Sequence, residues 1–429
     1  MSSFYQGYLY AYPHKSAYRD LTPARSLTEL WHGEDHDRLC LYVHVPFCGV
    51  RCAFCNLLTQ VGTKGDADAP AVYVDAVLRH AAATAEALPD ARYRQAAIGG
   101  GTPTYLPADQ LDRLLGGIGW QAGSGPLSVE VSPDTVDAAR LYVLAEHRTS
   151  RVSMGIQTFD DAEARAVGRP QRSAEVLTAL EQLRGGPWEL NLDLIYGIAG
   201  QTPESWLSSL EQLLAWEPAE VYLYPLYVRP LTGLGLSGRS WDDQRLALYR
   251  IGRDRLAAAG YHQLSMRSFR KRTHASPVDG TEWCCQDDGM VGLGAGARSY
   301  TTRVHWSTEY AVAQQAVRAI VAGYSGASRQ DLSQARVGYD LNEDEQRRRF
   351  IIKSVLRTDG LERSLYVKRF SSDPVHDLPA LIPMLEAEFL IDDGTHLRPT
   401  AAGLERSDQI GPALVSPQVL ALSEEWELR

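Results

Sequence analysis

"LCLYVHV" (39–45) runs directly into "PFCGVRCAFCNLLTQVG" (46–62), and the reading of this joint decides the fold. The first half alternates as a strand does. Tyr42 and His44 share one face, while Leu41, Val43 and Val45 take the other. The second half packs Cys48, Cys52 and Cys55 into eight positions, half of the six cysteines in the chain. Crowded thiols without disulfide-like pairing are metal ligands in a reducing compartment. Two sites can be written. One is tetrahedral zinc with His44 as fourth ligand, although His44 lies in the strand behind Pro46 and would have to swing toward the loop. The other is a [4Fe–4S] cluster on three thiolates, with one iron left for a substrate or cofactor. Cys40, in mid-strand, reads as core.

Outward from this joint a strand–helix grammar repeats. Strand patterns at 95–100, 127–133, 151–158, 190–197 and 220–228 alternate with helical periodicity at 69–88, 107–118, 173–184 and 202–215. Counting 39–45, these six units predict an α/β fold, a partial (β/α)6-type TIM barrel with right-handed crossovers. In such sheets the active site lies at the carboxyl ends of the strands, where the cysteine loop, "GGGTP" (99–103), Gln157 and Asp193 collect. After about residue 335 the pattern changes to two helices and a polar-tipped hairpin, "FLIDDGTHLRPT". The expected division is an N-terminal segment (1–38) packing on the barrel, the barrel with its extension (39–335), and a small winged-helix-like domain (336–429).

Composition limits the function classes. Of 429 residues 22% are charged, the net charge is −10, and no basic stripe follows a phosphate backbone, so no nucleic-acid partner is expected. The start, "MSSFYQGYLYAYPHK", lacks the charged and apolar regions of a signal peptide, and no apolar run suits a membrane span. A cytoplasmic protein with a small-molecule substrate is expected. Cys284 and Cys285 are adjacent thiols without further cysteines, insufficient for a second cluster.

"CGVRCAFC", with Phe54 before its last cysteine and a first barrel strand ahead of it, resembles the radical S-adenosylmethionine (SAM) signature. With "YVHVPFC", "GGGTPTYL", "VEVSPDT", "RVSMGIQTFD", "DLIYGIAGQT" and "GLGAGARSY", the chain from about residue 40 onward resembles the oxygen-independent coproporphyrinogen III oxidase (HemN) branch of that family. The resemblance implies that Cys48, Cys52 and Cys55 ligate a [4Fe–4S] cluster and that Tyr42, Gly100 and Glu130 hold the SAM on it, Tyr42 and Glu130 counting with the cysteines as catalytic. It further implies that Phe54, Gly101, Thr102, Gln157, Arg169, Asp193 and Tyr227 hold a second SAM. A flavodoxin- or ferredoxin-type donor is the implied electron source. Bare glycines allow close backbone approach, Asp193 suits ribose hydroxyls, and Arg169 suits a carboxylate. Arg298 falls where the oxidase has an apolar residue near the first SAM.

Two departures separate the chain from familiar members of the branch. Leu57 stands where the oxidase has a further cysteine, and "WCCQDDGMVGLGAGA" (283–297) lacks the histidine-containing HNxxYW motif of the heme-chaperone relatives. What remains resembles HemN-like (class C) methyltransferases and cyclopropanases, which implies a radical from one SAM and a methyl or methylene group from the second, delivered to an sp² carbon of a natural-product substrate. A porphyrinogen decarboxylase, and a heme or porphyrin carrier without SAM turnover, are the alternatives.

Overall fold

The computed structural model describes residues 4–426 apart from 6, 8, 10, 63–67, 119–124, 238–242 and 273–287; Cys284 and Cys285 lie outside the described residues. Thirteen strands form one open sheet. In chain order they are β1 (Arg19–Ser26), β2 (Leu39–Val45), β3 (Tyr93–Gly100), β4 (Leu127–Val131), β5 (Arg151–Gln157), β6 (Glu189–Tyr196), β7 (Glu220–Pro225), β8 (Tyr261–Gln263), β9 (Ser268–Lys271), β10 (Met290–Leu293), β11 (Arg298–Tyr300), β12 (Val304–Ser307) and β13 (Gln334–Asp340). Strands β2 to β7 lie side by side and parallel, the six predicted strands in their predicted order. Their helices include α1 (Ala69–Ala87), α2 (Ala108–Gly117), α3 (Ala138–Glu146), α4 (Ser173–Leu183) and α5 (Pro203–Leu214). Four of these sit where periodicity placed them. The sequence reading lacked α3, which Asp137 caps through the Arg140 amide.

The sheet continues on both flanks beyond the expected barrel. Strand β10 pairs parallel with β2, setting Gly292 beside Tyr42, and β11, β12, β13 and β1 follow in antiparallel order. On the other flank β9 and β8 add antiparallel to β7. These strands are short or half-polar, so period-2 alternation gave them little signal. The partial barrel stays open because β1 and β8, at its two ends, do not pair with each other.

Residues on the two faces of β2–β7 separate cleanly. Val43, Ile98, Val129, Val152, Leu192 and Val221 are fully buried in the core shared with the helices. The opposite, concave face carries a polar plug low in the barrel: Arg151 binds Glu220 (2.7 Å), and Arg270 bridges Glu220 and Glu189. A paired, buried network of this kind closes the bottom of the lumen without leaving an uncompensated charge.

A second core forms beyond β13 from Ile351, Ile352, Val355, Tyr366, Leu381, Leu397 and Ile410, built on the helices Glu343–Val355 and Arg363–Phe370 and a three-stranded sheet. Gln334–Asp340 itself belongs to the large sheet. The N-terminal segment serves both parts: β1 edges the large sheet, Tyr12, Ala17 and Tyr18 enter the second core, and Ala11 packs on the concave face with Cys40, Tyr42, Met290 and Tyr300. Among the described residues no helix is long and apolar enough to cross a membrane.

Candidate active site at the strand ends

Strand β2 delivers the cysteine loop, and β3 delivers "GGGTP" beside it. Backbone bonds lock the two loops together: the Gly101 amide donates to Val45 O and the Thr102 amide to Phe47 O, each at 2.7 Å. A side chain at any of the three positions would crowd a neighbour, most severely at Gly101, where the neighbour is backbone. A Cβ on Gly99 would lie 2.7 Å from Glu130 Oε1, one on Gly100 2.7 Å from the His44 ring, and one on Gly101 2.5 Å from Phe47 O and 3.0 Å from Cys48 Sγ. Gly100 also has a φ of 119°.

The three thiols are free and half-buried around this junction. Cys48 Sγ lies 3.7 Å from Thr102 Oγ1, Cys55 Sγ lies 3.7 Å from Thr59 Oγ1, and Arg169 Nη1 donates to Cys52 Sγ at 3.5 Å. Burial pushes the Cys48 thiol up to about 12 and raises that of Cys52. Loading with a metal must therefore displace thiol protons.

Among the described residues no group of three or more His, Cys, Asp or Glu side chains is placed to hold a metal ion. A structural zinc site takes four protein ligands, whereas three thiolates can hold a [4Fe–4S] cluster that keeps one iron for another ligand. His44 is not available as a fourth ligand either. Its Nε2 meets Leu58 O at 2.9 Å, its Nδ1 meets the Tyr42 hydroxyl at 3.3 Å, and burial lowers its pKa to about 4. The donor set thus fits a [4Fe–4S] cluster with one iron lacking a protein ligand, and the zinc reading loses its fourth member.

Glu130 on β4 stands open to the lumen but is hemmed in by protein, which raises its pKa; the Gly100 amide, donating to its Oε2 at 3.2 Å, and Arg151 pull the other way. Asp193 on β6 is raised further, to about 7, by burial and by Glu130 and Glu220, against the Asn191 amide (2.7 Å) and Arg151. Gln157 ends β5 at a bulge with a φ of 74°, an uncommon conformation for a residue with a side chain, and its amide folds over Gly155. The Gly155 carbonyl in turn accepts from Arg169 Nη2 at 2.6 Å. Phe54 packs with Ile195, Ile198 and Leu226 beside the loop. Tyr42, Phe54, Gly100, Gly101, Thr102, Glu130, Gln157, Arg169 and Asp193 therefore gather with the cysteines at adjoining strand ends. Arg298, on β11, is buried on the same concave side.

Tyr227 is engaged elsewhere. Its hydroxyl donates to Asp408 of the C-terminal part and accepts from Arg267, in a buried cluster that ties the barrel to the second core. The sequence reading passed over Asn191, the Arg151–Glu220–Arg270 plug, and His14 and Lys15. Asn191, Arg151 and Glu220 were accessible from strand alternation, which puts Arg151, Ser153, Glu189, Asn191, Asp193 and Glu220 on one face, whereas Arg270 sits on the unpredicted β9. Nothing local marked His14 and Lys15.

Comparison with known proteins agrees with this geometry. The model of the Radical SAM superfamily matches residues 42–213. The heme chaperone HemW of Lactococcus lactis subsp. lactis (strain IL1403) is 30% identical over 275 residues, covering 62% of this chain and 70% of that protein. An oxygen-independent coproporphyrinogen III oxidase of Paracoccus denitrificans (strain Pd 1222) is 33% identical over 252 residues, 56% of this chain and 54% of the oxidase. The structure of HemN from Escherichia coli superposes with a TM-score of 0.79 over 95% of this chain and 97% of that one, at 23% identity. The similarity thus falls on oxidases and heme chaperones rather than on the methyltransferase branch to which Leu57 and the missing histidine motif pointed.

Proposed function

Since the chain belongs to the radical SAM superfamily, and within it to the family of HemN oxidases and HemW heme chaperones, we propose that it generates a radical from SAM to act on a carboxylate-bearing substrate of porphyrinogen type. The observation that carries this reading is the three-thiol site whose neighbouring histidine is fully committed elsewhere, set at the carboxyl ends of the parallel strands. A [4Fe–4S] cluster held by Cys48, Cys52 and Cys55 would supply one electron, drawn from a flavodoxin- or ferredoxin-type donor, to split SAM into methionine and a 5′-deoxyadenosyl radical that abstracts hydrogen.

The chain's own residues do the rest. Glu130, propped by the Gly100 amide, presents a carboxylate to a cationic ligand group within reach of the cysteine loop. Asp193, steadied by Asn191, offers acceptor oxygens for sugar hydroxyls. Arg169, braced on Gly155 O, places positive charge against Cys52. Tyr42 and the glycines shape the wall, and the Arg151–Glu220–Arg270 plug excludes water from below.

Anaerobically reconstituted protein, reduced with dithionite, is expected to yield 5′-deoxyadenosine and to convert coproporphyrinogen III to a product lacking one or two carboxyl groups. Heme binding without SAM cleavage would replace this reading with that of a carrier.

A second reading, transfer of a methyl or methylene group from a second SAM to an sp² carbon, is favoured by Leu57, 46% exposed at the position of the oxidase's extra cysteine. SAM deuterated in its methyl group separates the two. Deuterium in 5′-deoxyadenosine supports the second reading, and its absence together with decarboxylation supports the first.

A further inference from the structure

The glycine-rich turn between β10 and β11 is held from behind by side chains that the radical chemistry does not use. Strands β2 and β10 run parallel as far as the pair Val43 and Leu293, then separate, one into the cysteine loop and the other into the turn 294–297. The Tyr73 hydroxyl, reaching in from α1, stands where they part. It donates to His44 O at 2.7 Å and accepts from the Ala295 amide at 2.8 Å, so it takes the place of the next rung of the ladder. One hydroxyl can fill both roles at once. Gly294 passes this point with a φ of 103°, and a Cβ there would lie 2.5 Å from His44 O and 2.8 Å from the Tyr73 hydroxyl. A side chain would push the bridge apart.

The amides of the turn are already taken. Ala295 gives its own to Tyr73, Gly296 to Thr308 Oγ1 (2.6 Å) and Ala297 to Gly294 O (3.1 Å), while the Gly296 carbonyl accepts from Lys15 of the N-terminal segment. The turn is a held wall, not a cradle that offers its amides to a phosphate. It rests on the cysteine loop, since a Cβ on Gly296 would lie 3.2 Å from Leu58 Cβ. Tyr73 reaches the same loop by two further routes. Its ring stands edge-on to Phe47 (centroids 5.3 Å apart, 82°), the neighbour of Cys48, and the His44 it bonds spans from the Tyr42 hydroxyl to Leu58 O. Burial raises the phenol well above its ordinary range, so it keeps the proton it donates. Tyr324, on the helix Gln314–Gly326, packs behind it with rings 5.4 Å apart, and its hydroxyl meets His80 Nδ1 (3.1 Å) and the Gly294 backbone.

We infer that Tyr73 is a positioning residue for the SAM on the cluster: its hydroxyl sets how far the cysteine loop stands from the glycine-rich turn, and so shapes the site between them. The purpose rests on the proposed radical site, while the bridge itself rests on Tyr73, His44 and Ala295 alone. Removing the oxygen leaves a buried carbonyl and a buried amide without this partner, so the loop and the turn must close up or admit water. Either change alters the site without touching a cysteine.

The experiment compares wild type, Tyr73→Phe, Tyr324→Phe and Tyr261→Phe, each anaerobically reconstituted with iron and sulfide and reduced with dithionite. Tyr261 is the control, since its buried hydroxyl donates to Pro218 O (2.6 Å) at the other end of the barrel. SAM affinity is read by equilibrium dialysis, and the reduced cluster by electron paramagnetic resonance with and without SAM. Tyr73→Phe is expected to hold iron within twofold of wild type, to bind SAM at least fivefold more weakly and to show a changed SAM-bound spectrum. In 5′-deoxyadenosine formation its KM for SAM rises by more than kcat falls. Tyr324→Phe weakens SAM binding at least threefold, and Tyr261→Phe keeps wild-type affinity and spectrum. A smaller loss with an unchanged spectrum in Tyr73→Phe, or an equal change in Tyr261→Phe, overturns the assignment. Should Tyr73→Phe fail to fold or to take up iron, Tyr324→Phe decides by its own threshold. A SAM-bound spectrum that depends on Tyr73, in a protein that leaves coproporphyrinogen unchanged, defeats only the substrate named in the proposed function. Turnover of coproporphyrinogen with unaltered KM for SAM in both Tyr73→Phe and Tyr324→Phe defeats only the positioning role. A wild-type cluster whose spectrum ignores SAM defeats both.

Discussion

The two walls of the lumen are built by different rules. Along β3–β6 the wall is acidic and glycine-lined: Glu130 and Asp193 project from strand ends, and the glycines of "GGGTP" make room for them and for the cysteine loop. Along β10–β12 the wall is basic, with Lys15, Arg298 and a fully buried His305 whose two ring nitrogens find no hydrogen-bond partner among the described residues. In the proposed function the acidic wall receives the sulfonium cation of SAM. Opposite charge on the two walls favours one orientation of a ligand between them without a specific contact for every atom.

The comparison breaks most completely at the cluster. Cys52→Ala is expected to abolish the visible absorbance of anaerobically reconstituted protein and to reduce 5′-deoxyadenosine formation at least a hundredfold. Gly101→Ala comes next. Its Cβ meets backbone at Phe47 O rather than a movable side chain, so the cysteine loop must shift. Iron content per chain and SAM cleavage should both fall about tenfold. Retention of full cleavage by Gly101→Ala would show that the glycine is only a turn residue.

How much of this was legible in the sequence follows from the same contrast. The acidic wall is written locally, because each of its residues sits at the end of a strand with strong alternation and next to a motif of fixed spacing. The basic wall is assembled from Lys15 and Arg298, 283 positions apart. It depends on flanking strands such as β11, three residues long, that carry no periodic signal. Tyr227 shows the converse case. The family pattern assigns it to a second SAM, and its hydroxyl joins Asp408, on a C-terminal helix that no strand-end rule could place.

That cluster offers a third test, outside both walls. Asp408 and Arg267 are almost wholly buried (side chains 1% and 4% exposed), and Asp408→Asn removes the charge that balances the guanidinium. Breaking such a pair costs about 3 kcal/mol. Chemical denaturation should detect this loss, while SAM affinity, which the proposed function assigns to the acidic wall, stays within twofold. A tenfold loss of SAM affinity would return Tyr227 to the cofactor site.

The smallest expected effect probes the acidic wall itself. Asp193 is held near 7 against an ordinary 3.8, so its charged form is disfavoured in the folded, ligand-free protein. The native state then binds more protons than the unfolded chain between about pH 4 and 7, and stability falls as pH rises through that window. Asp193→Asn removes the penalty. Its melting temperature should match that of wild type near pH 4 and exceed it by about 2 °C at pH 8. Hydroxyl donors from a bound ribose would stabilise the carboxylate and draw its pKa down. SAM binding near pH 6.5 should therefore release a fraction of a proton in wild type and none in Asp193→Asn, as read by calorimetry in buffers of different ionisation enthalpy. Equal proton release from both proteins would move the ribose contact away from Asp193 and leave the acidic wall with Glu130 alone.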